Sequence, residues 1–411
     1  MTFNVLLYGA TGHSGEIIAR KAVEKFTAGR VILAGRSAGP LRKLAGELGL
    51  AYRAFGLEDP AVVARSLAGV DLVVNAAGPF ALTASALVKG CLETPCSYVD
   101  INGEIDVYMK LDDLARQATA RNIALVCSAG HTAGASCLLL NRALVELAPH
   151  VPVGKDGRRR LGAVRIALSM LPEISRGSAN TGLRLLREQV LTIRRGERVQ
   201  RDGKKAPGLV KWHEPVGRLE RVFNFGGLNR GERRPSGPRR LASAANLTDT
   251  LVALRLVERK GWDPERIESY LQMDDMTRVG YQAGAALAPF MVMPLVRAEA
   301  MLLARALTPE HPTSRPPEQQ EQVVVLEIEG ADRRPLIDWR LRVPSGYDFT
   351  ATLVVALMAR FAAIKTFPKP SGVLPGWLTP TEILYPGDGG EPDMDLEGLF
   401  DRGPVRRWPD A

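Results

Sequence analysis

The sequence predicts an α/β chain: a doubly wound parallel sheet followed by an α+β second domain. Three observations carry this. An apolar strand at 5–8 runs through a glycine turn into a helix start, strand-like and helix-like segments then alternate to residue 127, and the alternation stops beyond it. At 411 residues the chain is long enough for two or three domains and for a large core without covalent staples.

The first unit is the most telling. Val5–Tyr8 reads as a buried strand, Gly9-Ala10-Thr11-Gly12-His13-Ser14-Gly15 as the turn, and Glu16 to about Phe26 as an amphipathic helix. Gly9 permits the tight turn, Gly12 lets the backbone approach a phosphate, and Gly15 lets helix and strand pack closely. With the helix N-terminus facing a pyrophosphate, this is a Rossmann-type dinucleotide site. The second strand, Val31–Gly35, ends in Arg36-Ser37 with no acid to hold a ribose 2′-hydroxyl. Arg36 can clamp a 2′-phosphate and Ser37 can donate to it, so NADP(H) is the expected cofactor.

The following elements continue the pattern. Helices are expected at Pro40–Leu48, Pro60–Leu67, Thr83–Leu92 and Asp113–Arg121, between strands at Tyr52–Phe55, Asp71–Asn75, Ser97–Ile101 and Ile123–Cys127. Ala76, Ala77, Gly78, Pro79 and Phe80 follow one strand and are small enough, apart from the last, to lie flat against the cofactor. A hydride acceptor needs a group that stabilises or protonates the charge formed on it. Tyr98, Asp100, Asn102, Glu104 and His131 fall at the carboxyl edge and are the candidates; His131 has the best intrinsic pKa for a proton donor. Asp100 and Glu104 serve equally well as structural acceptors for loop amides.

The second half reads as strands at Ala163–Ser169, Val323–Glu329 and Leu336–Val343, with helices at Ala179–Leu191, Leu247–Glu258 and Tyr347–Ile364. Expected boundaries are 1–130 for the nucleotide domain, 131–345 for the substrate domain, 346–385 for a C-terminal helix and returning segment, and 386–411 for an irregular tail. Ser178 and Thr181 are candidates for substrate contact or for helix capping. The net charge of +9 sits in one segment: 194–240 holds 14 Lys or Arg against 5 Asp or Glu, read as basic loops. The uncharged run 280–296, broken by Pro289 and Pro294, is read as a buried helix or a greasy wall rather than a membrane span.

Four cysteines without a Cys-x-x-Cys spacing and five scattered histidines indicate neither disulfides nor a metal site. The amino terminus enters a strand directly, so a cytoplasmic protein is expected, with peripheral membrane contact through 194–240 or 280–296. Those two segments are also where an acidic carrier protein would dock. A small-molecule or lipid-like substrate and a homodimer are the other expected partners, and no nucleic acid, since nothing organises Trp212, Phe223 and Phe225 into a recognition motif.

Four stretches carry a family resemblance: GATGHSG at 9–15, LAGRS at 33–37, NAAGPF at 75–80 and YVDINGE at 98–104. They resemble saccharopine-dehydrogenase-like oxidoreductases, above all the bacterial branch of trans-acting enoyl reductases. Further on, Gly177-Ser178-Ala179-Asn180-Thr181, the apolar stretch from Gly280, and Gly372-Val373-Leu374 with Leu378-Thr379-Pro380 are similar to that branch. The resemblance implies NADPH-dependent reduction and a closing segment that returns to the nucleotide domain. One departure stands out: where the family commonly has Gly-Phe-Asp-Ser, this chain has Gly130-His131-Thr132-Ala133, so roles of the aromatic and acid do not carry over.

The expected activity is NADPH-dependent reduction of an enoyl or carbonyl group on an apolar lipid- or polyketide-like substrate. One alternative is a reductase of an amino-acid-derived imine, with Arg165, Arg176, Arg184 and Arg187 available for carboxylates. The other is an NADP-binding sensor without turnover. The missing Tyr-x-x-x-Lys argues against a short-chain dehydrogenase.

Overall fold

The computed structural model describes residues 2–27, 29–169, 189–199, 205–225, 239–287, 321–343, 345–366 and 376–385. The first half alternates as expected: β1 (Phe3–Tyr8), α1 (His13–Lys25), β2 (Gly29–Gly35), α2 (Ala38–Leu48), β3 (Ala51–Ala54), α3 (Pro60–Ser66), β4 (Leu72–Asn75), α4 (Phe80–Glu93), β5 (Ser97–Asp100), α5 (Ile105–Asp112), α6 (Ala115–Ala120) and β6 (Ala124–Val126). Local chemistry sets several ends. Asp59 Oδ1 caps α3 by accepting from the Ala61 and Val62 amides, with Pro60 at the first helical position, and Gly49 ends α2 in the left-handed region at φ 66°. Val5, Leu6 and Leu7 are buried on both faces of β1, the signature of a parallel sheet covered by helices above and below.

The chain continues with α7 (His131–Leu147), β7 (Arg159–Leu168), β8 (Gln189–Val199), β9 (Lys205–Pro215), β10 (Glu220–Asn224), β11 (Arg239–Ala244), α8 (Asp249–Arg259), β12 (Trp262–Gln272), α9 (Asp275–Leu287), β13 (Gln322–Gly330), β14 (Pro335–Val343), α10 (Gly346–Thr366), β15 (Gly376–Leu378) and α11 (Pro380–Leu384). The first sheet runs β3-β2-β1-β4-β5-β6-β15, parallel throughout. The second is mixed, in the order β10-β11-β12-β7-β13-β14, with β7 and β12 parallel and their other neighbours antiparallel. The hairpin β8–β9 joins it through β8 on β12.

The C-terminal segment is built into the nucleotide domain. Gly376–Leu378 pairs with β6, and the buried Trp377 donates its indole N–H to Tyr108 Oη at 3.1 Å. The Trp377 carbonyl accepts from both Arg255 and Arg259 at 2.8 Å, tying α8 to the same strand. Helix α10 packs along α1 and against α7, fastened by Lys21–Asp348 at 2.7 Å. By length and mean hydropathy of 1.5 it would pass for a membrane span, yet 61% of that stretch is buried inside the fold.

Several expectations are corrected. The expected helix 179–191 lies mostly outside the described residues, and its end, Gln189–Leu191, is strand. The basic segment is not loops where it is described: β8, β9, β10 and β11 carry it, and their charges meet acids from distant elements. Arg195 pairs with Asp263 at 2.7 Å, Arg198 with Glu258 at 3.2 Å and Arg221 with Glu327 at 3.0 Å, contacts that no local pattern reveals. Several elements were not foreseen, among them α5, α7, β8 to β12 and β15. Helix α7 is buried on nearly every side, so its sequence has no amphipathic period, and β12 hides behind Pro264 and alternating charges that the second sheet neutralises. Of the apolar run, Gly280–Leu287 is on α9; the remainder, with Ser178, Thr181, Gly372-Val373-Leu374 and the tail, lies outside the described residues.

Candidate functional site

The glycine turn is held by strand β2. The amides of Gly9 and Ala10 both donate to Ala34 O, at 2.8 and 3.2 Å, which locks the turn to the strand that ends at Arg36. Gly9 has φ 84°, and a Cβ there would stand 2.7–2.8 Å from Ala77 backbone and side chain. A Cβ on Gly15 would overlap the Gly9 carbonyl. Helix α1 begins at Gly12 without a side-chain cap, and its first internal bond is Glu16 N to Gly12 O at 2.8 Å. The amides of His13, Ser14 and Gly15 therefore point out of the helix end, with Thr11 on the approach, as an anion cradle requires.

At the end of β2, Arg36 is exposed, and among the described residues its side chain makes no hydrogen bond or ion pair. Ser37 starts α2 without capping it. Both are thus free for the 2′-phosphate. Arg36→Glu is expected to weaken NADPH binding by about 2 kcal/mol or more and to leave NADH binding nearly unchanged. Fluorescence titration with both cofactors checks it, and equal losses would refute the assignment.

Beyond β4, Ala76, Ala77 and Gly78 follow at the carboxyl edge of the sheet, and Ala77 lies against Gly9. Phe80 differs: its ring is core, and its amide donates to Glu104 Oε1 at 2.9 Å. Glu104 Oε2 takes the Ala81 amide at 3.1 Å, so this buried carboxylate caps α4. Asn102 and Glu104 brace each other through Asn102 Nδ2 to Glu104 O, 3.1 Å, and Glu104 N to Asn102 Oδ1, 2.7 Å.

Asp100 and Tyr98 are fully buried. Asp100 accepts from the amides of Ser128 and Asn102 and from Tyr98 Oη, at 2.8, 3.0 and 2.9 Å, while Asn75 Nδ2 donates to that same phenol at 3.0 Å. Burial pushes Asp100 up to about 6, with the two amides and the phenol opposing it, and raises Tyr98 well above the usual phenol value. The side-chain oxygens of Tyr98, Asp100 and Glu104 are all hydrogen-bonded inside the protein, the geometry of groups that brace the edge loops. Ser128, which Asp100 holds, has φ 63° and shapes the step from β6 into α7.

His131 opens α7 at the same edge. It is the first helical residue rather than part of a turn, and its amide donates to Thr350 Oγ1 of α10 at 2.9 Å. Burial pushes its imidazole down to about 4, so the ring is neutral at pH 7. A neutral ring keeps one N–H, which argues against the expectation of a readily protonated acid. The N-terminus of α10 completes the site. Tyr347 stacks edge-on against His13 at 4.5 Å, and Gly346 lies against the His131 ring. Three helix N-termini, of α1, α7 and α10, thereby meet at one edge of the sheet. Sequence reading missed Tyr347, Gly346 and Thr350, because only tertiary contact brings a C-terminal helix there.

The fold and this edge define a two-domain, dinucleotide-binding protein of Rossmann type. Residues 5–126, a little under a third of the chain, match the model of the saccharopine dehydrogenase NADP binding domain. The cradle that Gly9 and Gly15 keep open, and the unpaired Arg36, fit NADP on structural grounds as well. Over 133 residues the chain is 30% identical to the trans-acting enoyl reductase of Mycobacterium leprae, covering 30% of this chain and 32% of that protein. A lipid droplet localized protein of Caenorhabditis elegans is 29% identical over 140 residues, 31% of this chain and 33% of that one. The match thus spans about a third of these relatives' length. Among solved structures, the L-Glu-forming saccharopine dehydrogenase of Saccharomyces cerevisiae has TM-score 0.53 at 16% identity, covering 93% of this chain and 95% of that one. The Legionella pneumophila homospermidine synthase has TM-score 0.53 at 11% identity, covering 93% and 87%. These two share the fold of both domains.

Proposed function

We propose that this chain is an NADPH-dependent reductase acting on an enoyl or carbonyl group of an apolar, lipid- or polyketide-like substrate. The observation that carries it is the NADP-binding domain with Arg36 unpaired at the end of β2. The acyl character is supported by the enoyl reductase relatives and by Leu82, 67% exposed in the first turn of α4. Met276 and Val279, 84% and 59% exposed on α9 just before the apolar segment, form an outward apolar face on which a lipid surface or acyl chain is expected.

Bound NADPH supplies the hydride. The chain's own part is to place and hold charge: the α1 amides and Arg36 fix the two phosphate ends, and the Asp100–Tyr98–Asn75 network keeps the edge loops rigid. His131 offers a neutral N–H to the substrate oxygen, at a helix N-terminus that favours negative charge. His131→Gln should lower kcat about tenfold or more without changing the shape of its pH profile between about 5.5 and 7.5. A step near 6.5 that vanished in the variant would show an imidazolium acid instead.

The imine alternative loses one of its arginines. Arg165 is buried, with Nε on Glu268 at 3.2 Å and its two terminal nitrogens on Glu329 at 2.5 and 3.0 Å; Arg176, Arg184 and Arg187 lie outside the described residues. Measuring NADPH consumption against a panel of enoyl thioesters and amino-acid imines separates the readings. Turnover with long-chain enoyl thioesters supports the proposal, turnover with imines alone overturns it, and tight binding with no turnover makes the protein a sensor.

A further inference from the structure

Two buried polar atoms near this edge, Ser128 Oγ and Gln322 Oε1, are not used by the network, and the second faces the His131 ring. Gln322 begins β13, is 6% exposed, and its Oε1 has no hydrogen-bond partner among the described residues. An unpaired buried acceptor is costly, and a native fold keeps one where a ligand supplies the donor. Its position is fixed through Gly346: a Cβ there would stand 2.8 Å from Gln322 Oε1, 3.0 Å from His131 Cγ and 3.2 Å from His131 Cδ2. Gln322 Oε1 and the His131 ring therefore flank the same point.

That point lies between the start of α1 and the start of α7. Tyr347, the next residue, touches His13 at the phosphate cradle, while His131 follows β6 at the carboxyl edge of the sheet. A dinucleotide lying in the crevice along this edge runs from its pyrophosphate at α1 toward its nicotinamide near α7. The nicotinamide carries a primary carboxamide, whose NH2 is the donor that Gln322 lacks.

We propose that Gln322 is the anchor of the nicotinamide carboxamide, its Oε1 accepting from the carboxamide NH2 beside His131. This rests on the NADPH reading above. A glutamine amide turns about a soft terminal torsion, so Oε1 follows a donor laid beside His131 without backbone movement. The anchor fixes which face of the ring is turned to the substrate and lets His131 address the substrate oxygen next to it. Gln322 is thus a positioning residue for the cofactor, contributed by the second domain.

The test compares NADPH with its 3-acetylpyridine analogue, in which a methyl replaces the amide nitrogen, in direct binding titrations. The wild type should bind NADPH about tenfold more tightly, because the analogue leaves Gln322 unpaired. Gln322→Met should bind the two alike, and Gln322→Glu, which keeps an acceptor, should keep the preference. The ratio within one variant is insensitive to a general loss of folded protein. An undiminished preference in Gln322→Met overturns the proposal. So does loss of enoyl thioester affinity with the cofactor preference intact, which would place Gln322 against the substrate. Failure of the wild type to bind NADPH would instead overturn the cofactor reading.

Discussion

Gly15→Val abolishes NADPH binding and costs the domain about 3 kcal/mol or more. The expectation rests on contact between backbones. A Cβ at Gly15 would overlap the Gly9 carbonyl and stand 3.0 Å from Ala10 Cα, and these atoms are held in turn by Ala34 O. No rotamer relieves a clash made by the first side-chain atom, so α1 must move away from β1. The amides of His13, Ser14 and Gly15 then leave the cradle together. Urea unfolding and cofactor titration read the two effects separately. A variant with native stability and native NADPH affinity would mean that helix and turn do not pack as described.

Asp100→Asn changes how stability depends on pH. Asp100 is fully buried and its proton is held up to about 6, against 3.8 for the ordinary carboxyl. Between those values the unfolded chain has released this proton and the folded chain has not, so folding loses stability as pH rises through the window. About two pH units correspond to roughly 3 kcal/mol. His131 works the other way, since its half-buried, neutral ring costs stability as pH falls below 6.5 toward about 4. Taking wild type minus Asp100→Asn removes that contribution. The difference in unfolding free energy should fall by about 3 kcal/mol from pH 3.5 to 7; a constant difference would show that Asp100 ionises at its ordinary pKa.

The site was legible wherever its chemistry is local. Gly9, Gly12 and Gly15 are demanded by contacts within one βαβ unit, and Arg36 ends a strand whose register follows from its own apolar run, so both could be read from neighbouring residues. Asp100 and Glu104 were visible as carboxylates at the right edge, but not their occupation. Whether a carboxylate meets a substrate or a loop amide depends on Ser128 and Phe80, which folding brings in from flanking loops. Arg165 was misjudged for the same reason, since Glu268 and Glu329 reach it from strands more than a hundred residues away.

By itself the sequence determined the alternating nucleotide domain, the phosphate cradle and the NADP-type strand end, because periodicity and glycine geometry act over a few residues. Only the tertiary structure decided how the edge is closed. It placed β15 beside β6, laid α10 along α1, and set Gly346 between His131 and Gln322, residues more than 190 positions apart. The physical reason is that burial and pairing, rather than residue type, fix what a polar group can do. The same fold that holds His131 neutral leaves Gln322 without a donor.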